Sequence, residues 1–309
     1  MKMGFLGVTA SLALIMGTPA IAQTAAPAPA PAAPATTPVA TVDADPALWV
    51  VKDDDTTIYL FGTVHVLKPG LSWFDEGVKK AFDKSDELVL ELIQPEPAEA
   101  QKIIRATVVD PDGPPLSQKL PEAERSVLAK ALADNGLPAA QLEVFKPWFV
   151  ALTLSLVSLP KLGYDPNSGA ETILTAAAKA ANKPISALET FRGQLEVFDT
   201  LPEATQINYL EQMLKDLPKI GETLDKMVAQ WAKGDPDALA MTMNEGVDTP
   251  ELRDALLTNR NIRWADWIDD RMKKPGTVFM AVGAGHLAGK DSVQVQLGTH
   301  KLAATRVKY

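Results

Sequence analysis

Two segments of this chain end an apolar run in the same way. Leu60-Phe61-Gly62-Thr63-Val64-His65 closes one, and Ala281-Val282-Gly283-Ala284-Gly285-His286 closes another. Each reads as a buried strand followed by Gly-x-x-His. Gly62 and Gly283 permit a sharp exit and close backbone approach. The histidine three residues on can then turn back over the carboxyl edge of a sheet, where open α/β sheets bind ligands. If the two strands are neighbours, both imidazoles reach one edge. The chain has 3 His and no Cys in 309 residues, so disulfide scaffolds, thiolate metal sites and a cysteine nucleophile are excluded. His300 lies in Leu297-Gly298-Thr299-His300-Lys301, read as a surface turn, and is set aside.

The rest of the pattern fits an α/β chain: a mixed sheet with βαβ units and a large helical insertion. Residues 56–61 and 87–93 read as strands with a helix over 73–84 between them, which suggests a βαβ unit with parallel pairing. Further strands are expected at 184–188, 277–282 and 303–308. Helices are expected over 122–135, 170–181, 235–244 and 250–272, with two or more over 202–231 broken near Pro218. Residues 147–159 are apolar throughout but too short to span a bilayer, so they read as a buried core helix.

The N-terminus carries a different signal. Lys2 precedes an apolar run from Phe5 to Met16, and Ala20-Ile21-Ala22 has the small-x-small form of a cleavage site. Residues 1–22 therefore read as a secretory signal peptide. Residues 23–44, rich in Ala and Pro, read as an extended linker. Residues 45–309 form the folded domain, which export would place in the periplasm, with no integral span once the signal is removed. A net charge of −9 argues against a nucleic-acid partner.

Acidic and basic residues near the strand ends complete the candidate site. Glu91 lies between apolar neighbours in Val89-Leu90-Glu91-Leu92-Ile93. A buried carboxylate needs a cation, a donor or a raised pKa, and a metal ion or His⁺ would serve. Glu189 follows a short strand in the same manner. Glu171, after Gly169, suits the start of a helix dipole. Arg260 reads either as an oxyanion or carboxylate clamp or as an exposed helix arginine paired with an acid. Trp264 and Trp267 read as packing residues.

With these residues the chain resembles the TraB/GumN family, which includes the Tiki-type metalloproteases. The resemblance runs from about Leu60 to the C-terminus. It rests on both Gly-x-x-His motifs, the Glu91 strand, Gly163-Tyr164 leading to Gly169-Ala170-Glu171, Leu188-Glu189-Thr190 with Gln194, Gly234-Asp235 and Arg260-Asn261. It implies a fold related to the erythromycin-esterase-like and ChaN-like proteins. For Tiki-type members it also implies divalent-metal-dependent peptidase activity. Bacterial relatives commonly hold an Asp where this chain has Glu171. On that basis the expected function is a metal-dependent hydrolase acting on a peptide or small-molecule substrate. His65, His286 and Glu91 would ligate Zn, Mn or Co; Glu91 or Glu189 would be the general base, and Arg260 would steady a carboxylate or the oxyanion. Two alternatives stand beside it. One is a metal-independent esterase-like hydrolase with His65 as base and Glu91 orienting it. The other is a non-catalytic envelope protein binding haem, a metal or a peptide.

Overall fold

The computed structural model describes residues 41–244 and 250–309, with the side chain of Asn244 left aside. The signal peptide and nearly all of the Ala/Pro linker expected from the sequence lie outside the described residues. Among the described residues there are eight strands. β1 (Val42–Asp43) and β4 (Leu71–Ser72) form a small parallel pair. The other six are β2 (Leu48–Lys52), β3 (Thr56–Thr63), β5 (Glu87–Leu92), β6 (Ile185–Glu189), β7 (Gly276–Gly283) and β8 (Thr305–Arg306). They make one mixed sheet in the order β6-β5-β7-β3-β2-β8. β6, β5, β7 and β3 are mutually parallel, while β2 is antiparallel to both β3 and β8.

The sheet departs from the sequence reading at one point that matters. β3 and β5 are parallel but not adjacent, because β7 lies between them. β7 carries the apolar run Thr277-Val278-Phe279-Met280-Ala281-Val282, and both its faces are covered, as an interior parallel strand requires. Phe279 and Ala281 pack on one side with Phe61, Leu88, Leu90, Leu174 and Trp231. Val278, Met280 and Val282 pack on the other with Trp264, Ile268 and Leu297. Helices Glu76–Lys84, Ala170–Ala180 and Ile220–Ala232 thus supply one layer, and helix Asn259–Met272 the opposite one.

The expected helices form, including Pro147–Ser158, which is buried along most of its length. It joins a separate all-helical core with residues of Pro97–Val108, Glu122–Asp134, Phe191–Asp199 and Glu203–Asp216. That core is the helical insertion, and Pro97–Val108 and Phe191–Asp199 are elements the sequence pattern did not reveal. β2 was missed as well: five residues bounded by charges leave too short a pattern to separate from a loop. The helix expected over 250–272 forms with a π-helical turn at Asp254–Thr258.

Gly62 is needed for close approach rather than for a special backbone angle. A Cβ there would lie 3.0 Å from the Ala284 Cα and 3.1 Å from its Cβ. The two Gly-x-x-His segments therefore pack directly on one another. Gly62→Ala is expected to lower unfolding free energy by about 1–3 kcal/mol, the usual range for overpacking. Urea titration measures this, and an unchanged midpoint and slope would contradict the close approach.

Candidate functional site

In the β3–β7 register Gly62 pairs with Val282 and Thr63 with Gly283, so both motifs leave the sheet side by side at its carboxyl edge. β5 and β6 end at the same edge, where Leu92 pairs with Glu189. The four parallel strands thus deliver His65, His286, Glu91 and Glu189 to one place. The two histidines, however, enter different environments.

His286 is sealed, with its side chain 1% exposed. Its Nδ1 lies 2.6 Å from Asn261 Oδ1. The Asn261 amide nitrogen donates to the Asp291 carbonyl at 2.7 Å, which orients the amide. Its oxygen therefore accepts from Nδ1–H, and His286 Nε2 accepts from Arg260 Nη1 at 3.0 Å. The Trp264 ring lies 4.3 Å from the imidazole, centroid to centroid. Burial and the Arg260 charge push the His286 pKa far below its ordinary value, so the ring is neutral.

Arg260 organises this interior. Nε and Nη2 make a two-pronged contact with Glu189 at 2.8 and 2.7 Å. Nη2 also donates to Glu91 Oε2 at 2.8 Å. Nη1 reaches His286 and, at 3.3 Å, the Leu256 carbonyl within the π-helical turn. All five guanidinium donors are thereby engaged inside the chain. Gln194 Nε2 bridges Glu91 and Glu189 at 3.3 and 3.1 Å, and the Gly283 N–H donates to Glu91 Oε1 at 2.5 Å. Burial pushes the Glu91 carboxyl up, but Arg260, His65 and the Gly283 N–H outweigh it and hold it below its ordinary range. Glu91 is therefore ionised and saturated with donors. Arg260 is paired with acids, as the second reading expected, but it is buried rather than exposed; a substrate clamp would need a free donor.

His65 is different. Its side chain is 9% exposed, and Nδ1 meets Glu171 Oε1 at 2.5 Å. The Thr63 hydroxyl donates to the same carboxylate oxygen. Glu171 is delivered by the first turn of helix Ala170–Ala180, whose start is tied to the motif by the Ala170 N–H bond to the Val64 carbonyl at 3.0 Å. Gly169 makes this possible, since a Cβ there would collide with the His65 carbonyl. Burial alone lowers the His65 pKa, but the Glu171 charge and hydrogen bond, with Glu91, outweigh it and hold it above the ordinary value. The carboxylate that orients His65 is thus Glu171, in place of the expected Glu91. Glu171 was the chief residue passed over: at a helix start its dipole role looked sufficient. His300 stands apart, 3.0 Å from Asp266.

His65, Glu91 and Glu171 line a cavity of about 620 Å³ that opens beside β5 and helix Ala170–Ala180. The residues expected to hold a divalent ion do not fit one as arranged. His286 has both ring nitrogens engaged, and a guanidinium stands against His286 and Glu91 where the ion would sit. Among the described residues no group of three or more His, Asp or Glu side chains is arranged to hold a metal ion.

Two predictions follow from the charge network. Arg260→Met would strand Glu91 and Glu189 and is expected to cost about 3–5 kcal/mol, as for a broken buried pair. Adding Glu91→Gln and Glu189→Gln should recover part of that loss in denaturant titrations. The second concerns acid. His286 is neutral in the fold but takes a proton when unfolded below about pH 6.5, so stability falls as pH drops through that value. Glu91, depressed in the fold, adds a further loss below about pH 4.3 and down through its folded value. His65 has the opposite sign: its contribution is present below about 6.5 and fades as pH rises through its raised folded value. Denaturation midpoints between pH 7 and 5 should therefore decline less steeply in His286→Gln than in the native chain.

The profile of the TraB/PrgY/gumN family matches residues 47–306. A curated relative, an "Uncharacterized protein" of Treponema pallidum (strain Nichols), is 23% identical over 266 residues, covering 79% of this chain and 78% of its own. No solved structure matches the chain. No helix among the described residues is long and apolar enough to cross a membrane. The family match spans the whole described sheet and both Gly-x-x-His motifs: the chain belongs to the TraB/PrgY/gumN family.

Proposed function

We propose that the protein is a hydrolase of ester or amide bonds in which His65 is the general base and Glu171 its positioning carboxylate. The observation that carries this reading is the His65–Glu171 pair at the wall of the cavity. Hydrogen bonding of Nδ1–H to the carboxylate puts the imidazole lone pair on Nε2. There it would take a proton from water as the water oxygen attacks the substrate carbonyl. The same proton then passes to the departing alkoxide or amine, giving an acid and an alcohol or amine. Glu171 stabilises the imidazolium formed between the two steps. Arg260, Glu91, Glu189 and His286 support the cavity floor and take no part in proton transfer. The leader read in residues 1–22 assigns this activity to the periplasm, which cell fractionation would test.

Turnover of p-nitrophenyl acyl esters and acylated peptide amides tests the assignment. His65→Ala is expected to lower kcat/KM by about 10²–10⁴-fold. The native profile should rise with pH through an inflection above the ordinary histidine value, because protonated His65 is inactive as a base. In Glu171→Gln that inflection should move down and kcat should fall. Full activity in His65→Ala would overturn the reading.

A metal-assisted reaction on His65, Glu91 and His286 would require Arg260 to leave both Glu91 and His286. Stoichiometric metal in the purified protein, with turnover abolished by chelation and restored by Zn, Mn or Co, would replace the present reading with that one.

A further inference from the structure

The cavity has an unequal charge balance along its length. At the sheet edge its charges are matched: Glu171 by His65, and Glu91 by Arg260. At the other end stands Lys179, also in the cavity lining. Its side chain is exposed, and its ammonium makes no hydrogen bond or ion pair among the described residues. The positions three and four residues away, Thr175, Ala176, Asn182 and Lys183, include no acid. Lys183 is committed to the Asp83 and Ser85 carbonyls.

The geometry between the two ends is set by one helix. Glu171, Thr175 and Lys179 follow one another at four-residue spacing along Ala170–Ala180, so they share a face. Eight residues of helix place Lys179 about 12 Å along the axis from Glu171. The wall facing this helix is mainly apolar, with Leu90, Leu92 and Ile185, and also includes Gln94. Ile93, also in the lining, is 48% exposed. A charged or strongly hydrated ligand segment would lose solvation against this wall, whereas an alkyl or apolar side-chain segment would gain by burial.

We infer that Lys179 is a specificity-determining residue which binds an anionic group on the substrate, separated by an apolar segment of about 12 Å from the bond that His65 attacks. The placement of the reacting bond rests on the hydrolase reading above; the anion site itself does not. The shared ligand chemistry is a carboxylate at the far end of an apolar chain, which either an ω-carboxyl acyl chain, whose other carboxyl carbon is in the scissile bond, or the C-terminus of a short peptide could supply. A lysine in the last turn also suits the helix dipole, but that role would be indifferent to the ligand.

Binding separates these cases without turnover. The probes are octanoate against octanamide, and acetyl-Leu-Leu-Leu with a free carboxylate against its C-terminal amide. They are titrated by calorimetry into the full mature chain, while the His65 ring proton is followed by NMR. The native protein is expected to bind at least one acid about fivefold more tightly than its amide, the upper range for an exposed ion pair. That preference should shrink at high salt and vanish in Lys179→Met. In Lys179→Glu, octylammonium should be preferred over octanoate. Which acid shows the preference identifies the acyl or the peptide source. Equal binding of acids and amides, a preference surviving in Lys179→Met, or no binding by either acid would overturn the inference. A native protein that shows the Lys179-dependent preference yet hydrolyses nothing overturns the hydrolase reading and supports the anion site.

Discussion

One guanidinium holds the carboxyl edge of this sheet together. Arg260 comes from the layer on one face and meets Glu91 from β5, Glu189 from the end of β6 and His286 from the turn after β7. Two carboxylates buried this close would repel one another. With the arginine between them Glu91 stays ionised, and Gln194 and the Gly283 N–H supply its remaining donors. A network of this kind contributes little net stability compared with an apolar core. It does impose a single arrangement, because any other would leave a buried charge without a partner. The π-helical turn at Asp254–Thr258 belongs to the same arrangement: Arg260 lies two residues beyond it and donates a hydrogen bond back to the Leu256 carbonyl within it.

This network also divides the two Gly-x-x-His motifs. They begin as equivalents, on adjacent parallel strands in matched register. His286 then falls inside the arginine's reach and becomes a neutral acceptor, locked by Asn261 and Trp264. His65 falls outside it, at the cavity wall, against a carboxylate of its own. The sign of the neighbouring charge explains the difference: burial disfavours protonation of both rings, the arginine adds to that at His286, and Glu171 outweighs it at His65. An imidazole that can change charge is thus kept at the cavity, and one that cannot is kept in the wall behind it.

Much of the architecture was legible from local pattern. β3, β5, β6 and β7 are apolar runs that end in glycine, proline or charge, and the long helices have clear stops. That His65, Glu91, Glu189 and His286 would meet at one sheet edge was legible too. Roles were harder to read. The sequence shows Arg260 as an arginine on a helix; its commitment to four partners depends on segments up to 169 residues apart. Glu171 looked like a helix-start acid because its partner, His65, is brought to it by Gly169 and a loop contact that no periodicity records.

What the sequence determined by itself is therefore the α/β class, the two strand-end motifs, the family and the short set of residues available for chemistry. These follow from side-chain periodicity, glycine placement and residue scarcity, all of which act over a few positions. Tertiary structure alone decided that β7 lies between β3 and β5, that the arginine takes the centre of the acidic pair, and that of the two motif histidines it is His65 that lines the cavity. Those outcomes depend on which distant strands pair and on how buried charges must be matched. Both are long-range conditions that a local reading of the chain does not contain.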